Sequence, residues 1–220
     1  MRPLFSLWEV LMEYFTIASP AQTSFTEKRS EFIGYLMPVT NNDDAVAFIQ
    51  SVKAEHRKAK HHVYAYILRD SNITRYSDDG EPQGTAGVPV LEVLQKRNLT
   101  DLCCVVVRYF GGILLGGGGL VRAYSHSASL TCDAAQIRHM CGSVSLTLQM
   151  DYTLYGKVTN ILPKYGVLEK SSDFGTDVML ELQVREEVAD ALKAELTELS
   201  AGRIVMEQGT PEFADFASVS

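Results

Sequence analysis

The run Leu102–Phe110 is apolar almost throughout, broken only by Arg108. A run of that length without polar alternation predicts a strand buried on both faces, the centre of a sheet rather than its rim. Shorter runs at Tyr14–Ile17, Phe32–Val39, Val63–Leu68 and Ile73–Tyr76 read as further strands, with Pro38 placing the end of the second near an edge or turn. Helical spacing begins at Asp43, where Val46, Ile49 and Val52 recur, Asn41 or Asn42 offers a cap, and two aspartates suit the first turn. A second helix runs from a cap at Thr85 through Val88, Leu91 and Leu94 to about Lys96. A third, rich in Ala and Ser, runs from Leu120 to about Ile137.

From Ser143 the order changes to strand, helix, two strands, helix, strand: Val144–Tyr152, Gly156–Lys164, Gly166–Ser171, Asp177–Val184, Glu186–Leu199 and Arg203–Glu207. That βαββαβ order is the split, ferredoxin-like arrangement. The expected organisation is therefore an α+β chain of two domains. Residues 12–142 form the first and 143–210 the second, with a leader or start-site extension at 1–11 and a tail at 211–220.

Composition adds limits to this picture. A length of 220 residues, 46% hydrophobic and 21% charged, suits a globular chain with a sizeable core and excludes disordered and fibrous classes. No apolar run approaches the roughly 20 residues that span a bilayer. The apolar start of the chain is interrupted by Glu9 and Glu13, which argues against a secretion signal and for a cytoplasmic protein. Cys103, Cys104, Cys132 and Cys141 follow no paired metal-ligand spacing and read as buried reduced thiols, so neither metal nor cofactor is expected. The net charge of -7 is unevenly placed: residues 12–142 carry 13 basic and 13 acidic side chains, residues 143–220 carry 6 and 13. Any nucleic acid should meet the first domain, because phosphate neutralisation supplies most of non-specific affinity.

Candidate chemistry concentrates between Ser77 and Ser125. Gly111, Gly112, Gly116, Gly117, Gly118 and Gly119 crowd into nine residues after the central strand and before a helix start. The lysine of a P-loop is missing and the spacing of a dinucleotide fingerprint fails. What remains is a set of exposed backbone amides at a helix N-terminus, flanked by Arg108 and Arg122, that can cradle phosphate or carboxylate. The alternative is a tight connection in which both arginines pair with the acidic turn. That turn holds Asp78, Asp79 and Glu81, which either cap, turn and pair, or hold a hard cation for a phosphate-processing enzyme. Lys53, Arg57, Lys60 and His61, at the tail of the first helix and beyond, are either a solvated helix end or an anion-binding patch. No nucleophile with a matching base stands out, so no catalytic residue is assigned.

The segments Tyr76–Gly87, Val107–Gly116 and Gly119–Ser125, with Ser30–Ile33 and Ala59–His62, together resemble the YigZ/IMPACT family. The resemblance covers about Ser24 to Ala135 by motif and the second domain by arrangement. Gly117 and Val63 depart mildly, where relatives more often show alanine and cysteine. The resemblance implies a first domain like the second domain of ribosomal protein S5 and a ferredoxin-like second domain. It also implies an association with translation, with RNA, the ribosome or a translation factor as partner and no membrane. Eukaryotic relatives regulate a kinase of translation initiation through an additional domain, and that role is not carried over. The expectation is a monomeric, non-enzymatic binding protein, with a phosphate-processing enzyme or a protein-interaction module as alternatives.

Overall fold

A computed structural model describes residues 13–219. The expected leader lies outside them. The elements in order are β1 (Glu13–Ile17), β2 (Ala21–Glu27), β3 (Ser30–Pro38), α1 (Asn42–Glu55), β4 (His61–Leu68), β5 (Ile73–Ser77), α2 (Gly87–Lys96), β6 (Leu102–Tyr109), α3 (Gly117–Ala134), β7 (Ile137–Met150), α4 (Tyr152–Ile161), β8 (Leu168–Phe174), β9 (Val178–Arg185), α5 (Glu186–Ser200) and β10 (Val205–Asp215). The chain is α+β and divides into two compact units. The first is Tyr14–Arg138; the second comprises residues 139–219 together with Glu13.

In the first unit an antiparallel sheet has the order β2-β3-β6-β4-β5, which puts the apolar run of β6 at its centre. Seven of its eight residues are buried, because α1 covers one face and α2 with α3 cover the other. Cys103 faces α1 together with Val105 and Val107, whereas Cys104 faces the opposite side with Leu102 and Val106. Burial pushes the thiol pKa of both cysteines up, so they are inert apolar fillers. On α1 the inward stripe is Ala45, Ile49 and Val52; Ile49 and Val52 are buried as expected, while Val46 is exposed and Ala45 takes the inward place at i, i+4, i+7.

The strand β2 lies outside the sequence expectation. Its residues, AQTSFTE, are half-exposed in alternation at the sheet edge, so polarity hides the strand. It joins β3 through Lys28 and Arg29, both at positive φ (45° and 65°), the conformation of a two-residue hairpin turn that usually uses Asn-Gly. Tight packing follows on β3, where a Cβ on Gly34 would fall 2.2 Å from Thr131 Oγ1 of α3.

The second unit has the sheet order β10-β7-β9-β8, antiparallel throughout, the order a βαββαβ chain gives in a ferredoxin-like fold. Its core is built from alternate residues of β7 and β9, including Leu146, Leu148, Leu180 and Leu182, against Leu154, Val158, Leu192 and Leu196 of α4 and α5. Two boundaries differ from expectation. Helix α3 stops at Ala134, and β7 begins at Ile137, so Gly142 lies inside a strand. Residues 211–215 continue β10 instead of forming a tail, because the register shifts between Gln208 and Pro211 and a bulge accommodates the proline.

Candidate functional site: a glycine-loop cleft beside a buried ion pair

The acidic turn does three separate jobs. Asp78 accepts hydrogen bonds from three backbone amides, Gly84 N (2.9 Å) to Oδ2, and Ala86 N (3.0 Å) and Gly87 N (2.8 Å) to Oδ1. It thereby caps α2 from outside the helix. Thr85, the expected cap, instead donates its hydroxyl to Pro82 O.

Asp79 faces the other way. Its Oδ1 accepts from Lys53 Nζ at 2.8 Å and its Oδ2 from His62 N at 2.7 Å, while its carbonyl accepts from His61 Nδ1. Burial alone would raise the Asp79 pKa, but the ammonium and the amide outweigh it and hold the carboxyl below its ordinary range. A depressed folded-state pKa contributes stability that is full above the unfolded value of about 3.8 and is lost as pH falls through the folded one. Lys53→Met is therefore expected to lower the urea midpoint at neutral pH, by an amount equivalent to less than about 1 kcal/mol for so accessible a pair. The two proteins should converge as pH falls through the depressed folded-state value of Asp79. Parallel curves at every pH would show that the pair does not set this carboxyl's affinity.

Glu81 points inward and is 9% exposed. Its Oε1 accepts from Arg108 Nη1 at 2.7 Å and from the Tyr124 hydroxyl at 2.8 Å, with His61 Nε2 at 3.9 Å. Burial first, and the Glu81 carboxylate second, push the Tyr124 phenol far up, so it remains a donor at any accessible pH. Arg108 is 5% exposed and lies between the rings of Phe32 and Phe110, at 5.6 and 5.5 Å, with Ser30 Oγ at 3.5 Å. Ser30 also accepts from Gly111 N at 3.2 Å. Arg108 is thus an internal cation of the fold and does not present itself to an external anion. Its place follows from strand parity: it shares a face with Leu102, Cys104 and Val106, all covered by α2 and α3.

Arg122 is different. It sits on the exposed face of α3, one turn in, and among the described residues no hydrogen bond or ion pair engages it. Helix α3 starts at Gly117 from an N-cap, Gly116, at φ 71°, with no side-chain cap and no acidic residue in its first turn. Leu120 N bonds Gly116 O, which leaves the amides of Gly117, Gly118 and Gly119 as the helix's orphan donors. Beside them lies a cleft of about 230 Å³ lined by Phe25, Lys28, Leu115, Gly119, Arg122 and His126, with Glu27 and Ala123 completing the wall. Phe25 packs against Phe32 (centroids 5.1 Å apart) and edge-on to His126 (4.8 Å), which holds the aromatic wall in place.

The glycines divide by role. Gly111 allows the closest approach: a Cβ there would lie 1.9 Å from Arg29 O, so the β2–β3 turn rests directly on this backbone. Gly112 carries a positive φ of 85°, and Gly117 to Gly119 open the helix end. Between them Ile113 and Leu114 project, Leu114 being 82% exposed. Of the other basic residues singled out in the sequence, Lys53 and His61 are tied to Asp79, Arg57 donates to Ala54 O at the end of α1, and Lys60 is exposed. None of these four lines the cleft. Lys28, Phe25 and His126 were not singled out in the sequence; the adjacent cations of Lys28-Arg29 between two strand-length segments were the available signal.

Comparison with known proteins gives one answer along the chain. Residues 28–132 match the family described as the Impact N-terminal domain, and residues 148–203 match a domain of unknown function, DUF1949. The IMPACT family member YvyE of Bacillus subtilis is 38% identical over 201 residues, 91% of this chain and 93% of that protein. The IMPACT family member YigZ of Escherichia coli is 34% identical over 190 residues, covering 85% and 93%. A solved structure titled as that of a hypothetical protein superposes with a TM-score of 0.58 at 32% identity, over 89% of this chain and 96% of that one.

Proposed function

The chain belongs to the IMPACT family, and from that premise we propose that it is a translation-associated binding protein whose first unit contacts RNA, on the ribosome or free, at the glycine-loop cleft. The observation that carries this reading is Arg122: a guanidinium one helix turn on from three orphan glycine amides, its Nη1 3.7 Å from where a Cβ on Gly118 would lie. Those amides and the helix dipole favour an anion, and a guanidinium matches phosphate oxygens in pairs. Lys28 adds a second cation at the cleft, and Phe25 with His126 adds aromatic surface on which an unpaired base can stack. The site is small and the chain carries a net -7, so affinity here is local and sensitive to salt. Among the described residues no helix is long and apolar enough to cross a membrane, and four free cysteines suit a reducing, cytoplasmic setting.

The carboxylates of the acidic turn are all engaged by protein donors, which favours a binding protein over a cation-dependent phosphate-processing enzyme. The test is retention of labelled single-stranded RNA by the full chain at increasing salt. Arg122→Ala and Lys28→Ala are each expected to weaken binding uniformly across sequences and to reduce the slope of log affinity against log salt by about 1. Arg57→Ala, away from the cleft, should leave both unchanged. Absence of RNA binding at low salt, or equal loss in all three variants, would refute the assignment.

A further inference from the structure

In the second unit, well separated in sequence, three ligand-type side chains converge. His139 and Cys141 stand two apart on β7 and so share a face, and Glu13 reaches them from the other end of the chain. His139 Nε2 lies 2.8 Å from Glu13 Oε2 and 3.5 Å from Cys141 Sγ, and the three ligand atoms all fall within 4.8 Å of one another. Both contacts use the same ring nitrogen. A Cys-His-acid hydrolytic relay needs the two nitrogens on opposite tasks, one toward the thiol and one toward the carboxylate, so this is not such a relay. Cys141 is also 4% exposed, poorly placed to attack a substrate.

We propose that Glu13, His139 and Cys141 form a three-residue site for a thiophilic divalent cation, zinc by its ligand chemistry. Tetrahedral zinc, with Zn–S of about 2.3 Å and Zn–N of about 2.0–2.1 Å, separates sulfur and nitrogen by about 3.5 Å, the spacing found between Cys141 and His139. The matching nitrogen-to-carboxylate edge is about 3.3 Å, so Glu13 must withdraw by about half an ångström. Its side chain, 55% exposed, is free to do so. A thiolate and an imidazole select zinc over magnesium or calcium, which prefer oxygen alone. Coordination releases the thiol proton to solvent, and the thiolate with the Glu13 carboxylate then balances the charge of the ion. The positive charge of Arg185, whose guanidinium lies 4.7 Å over the Phe216 ring, favours the thiolate form of Cys141. The exposed side, past Glu13, leaves the fourth position to water.

The test uses the untagged full-length chain, made metal-free under a non-thiol reductant and titrated with Co²⁺. One equivalent should produce a near-ultraviolet thiolate-to-cobalt charge-transfer band with the intense visible bands of tetrahedral cobalt, both erased by Zn²⁺. Cys141→Ser should abolish the charge-transfer band. His139→Ala and the exposed Glu13→Gln should weaken affinity at least about tenfold, and Cys132→Ser, a buried thiol of the other unit, should change nothing. No charge-transfer band in the parent protein overturns the proposal, as does a band that survives Cys141→Ser. Because Glu13→Gln alters only a surface side chain, undiminished affinity in that variant removes Glu13 from the site even if the other two variants fold poorly.

Discussion

Glu81→Ala is expected to destabilise the protein by roughly 3–5 kcal/mol, because it leaves the Arg108 guanidinium buried without a counter-charge. The pair is 2.7 Å long and its side chains are 6% and 4% exposed, so water cannot substitute for the carboxylate without opening the fold. The Tyr124 hydroxyl loses its acceptor at the same stroke, since it shares Oε1 with the arginine. Against a total stability of about 5–15 kcal/mol for an ordinary domain, that loss takes a large share. Urea denaturation at neutral pH measures it. Glu81→Gln, which keeps an acceptor and removes the charge, should fall between the parent and the alanine variant. The informative control is Glu81→Leu with Arg108→Met: replacing both partners by apolar groups of similar size should recover most of the loss. An alanine variant within about 1 kcal/mol of the parent would mean that the guanidinium is solvated or neutralised by another group.

The fate of the two arginines shows how far the sequence could be read. Arg108 and Arg122 both flank the glycine cluster and both suit an anion, so residue type alone does not separate them. Burial does. Arg108 occupies a strand apolar on both faces, and its parity with Leu102, Cys104 and Val106 already commits it to the interior, where only a carboxylate can meet it. Arg122 lies on a helix whose buried residues, Leu120, Ala123, Tyr124 and Ser127, leave position 122 on the outer side. The centre of the sheet and the βαββαβ order were legible for the same reason: apolar periodicity is strong there. The β2 edge strand and its Lys28-Arg29 turn were not, because a half-exposed strand carries few apolar residues and the turn uses neither Asn nor Gly. That hidden hairpin supplies Phe25 and Lys28 to the cleft. The Glu13, His139 and Cys141 cluster escaped for another reason: cysteine spacing searches for local pairs, and Glu13 lies 126 residues from His139.

Asp78→Ala should give the second largest effect, and its mechanism differs from that of Glu81. Two buried amides, Ala86 N and Gly87 N, lose their common acceptor at the start of α2, at a cost on the order of 1–3 kcal/mol for each donor left unpaired. The partly solvated Gly84 N adds little, since water replaces its partner. No residue of the helix can compensate, because the N-cap position is Ala86 and the Thr85 hydroxyl is engaged with Pro82 O. Asp78→Asn should retain much of the stability: its amide oxygen can replace Oδ1 toward both buried donors, while its NH₂ group opposes only Gly84 N. If Asn and Ala variants are equally unstable, the negative charge at the helix N-terminus matters more than the hydrogen bonds. Gly87 makes the turn intolerant of slack, for a Cβ there would lie 2.8 Å from the Ser77 carbonyl carbon. The chain from Ser77 to Gly87 is therefore clamped at both ends, and Glu81 sits at its middle. Losing the Asp78 clamp should loosen the hold of Glu81 on Arg108, so the Asp78→Ala and Glu81→Ala losses should sum to more than the double variant shows. Strict additivity would instead show that the buried ion pair is positioned by β6 and α3 alone, with the turn merely following.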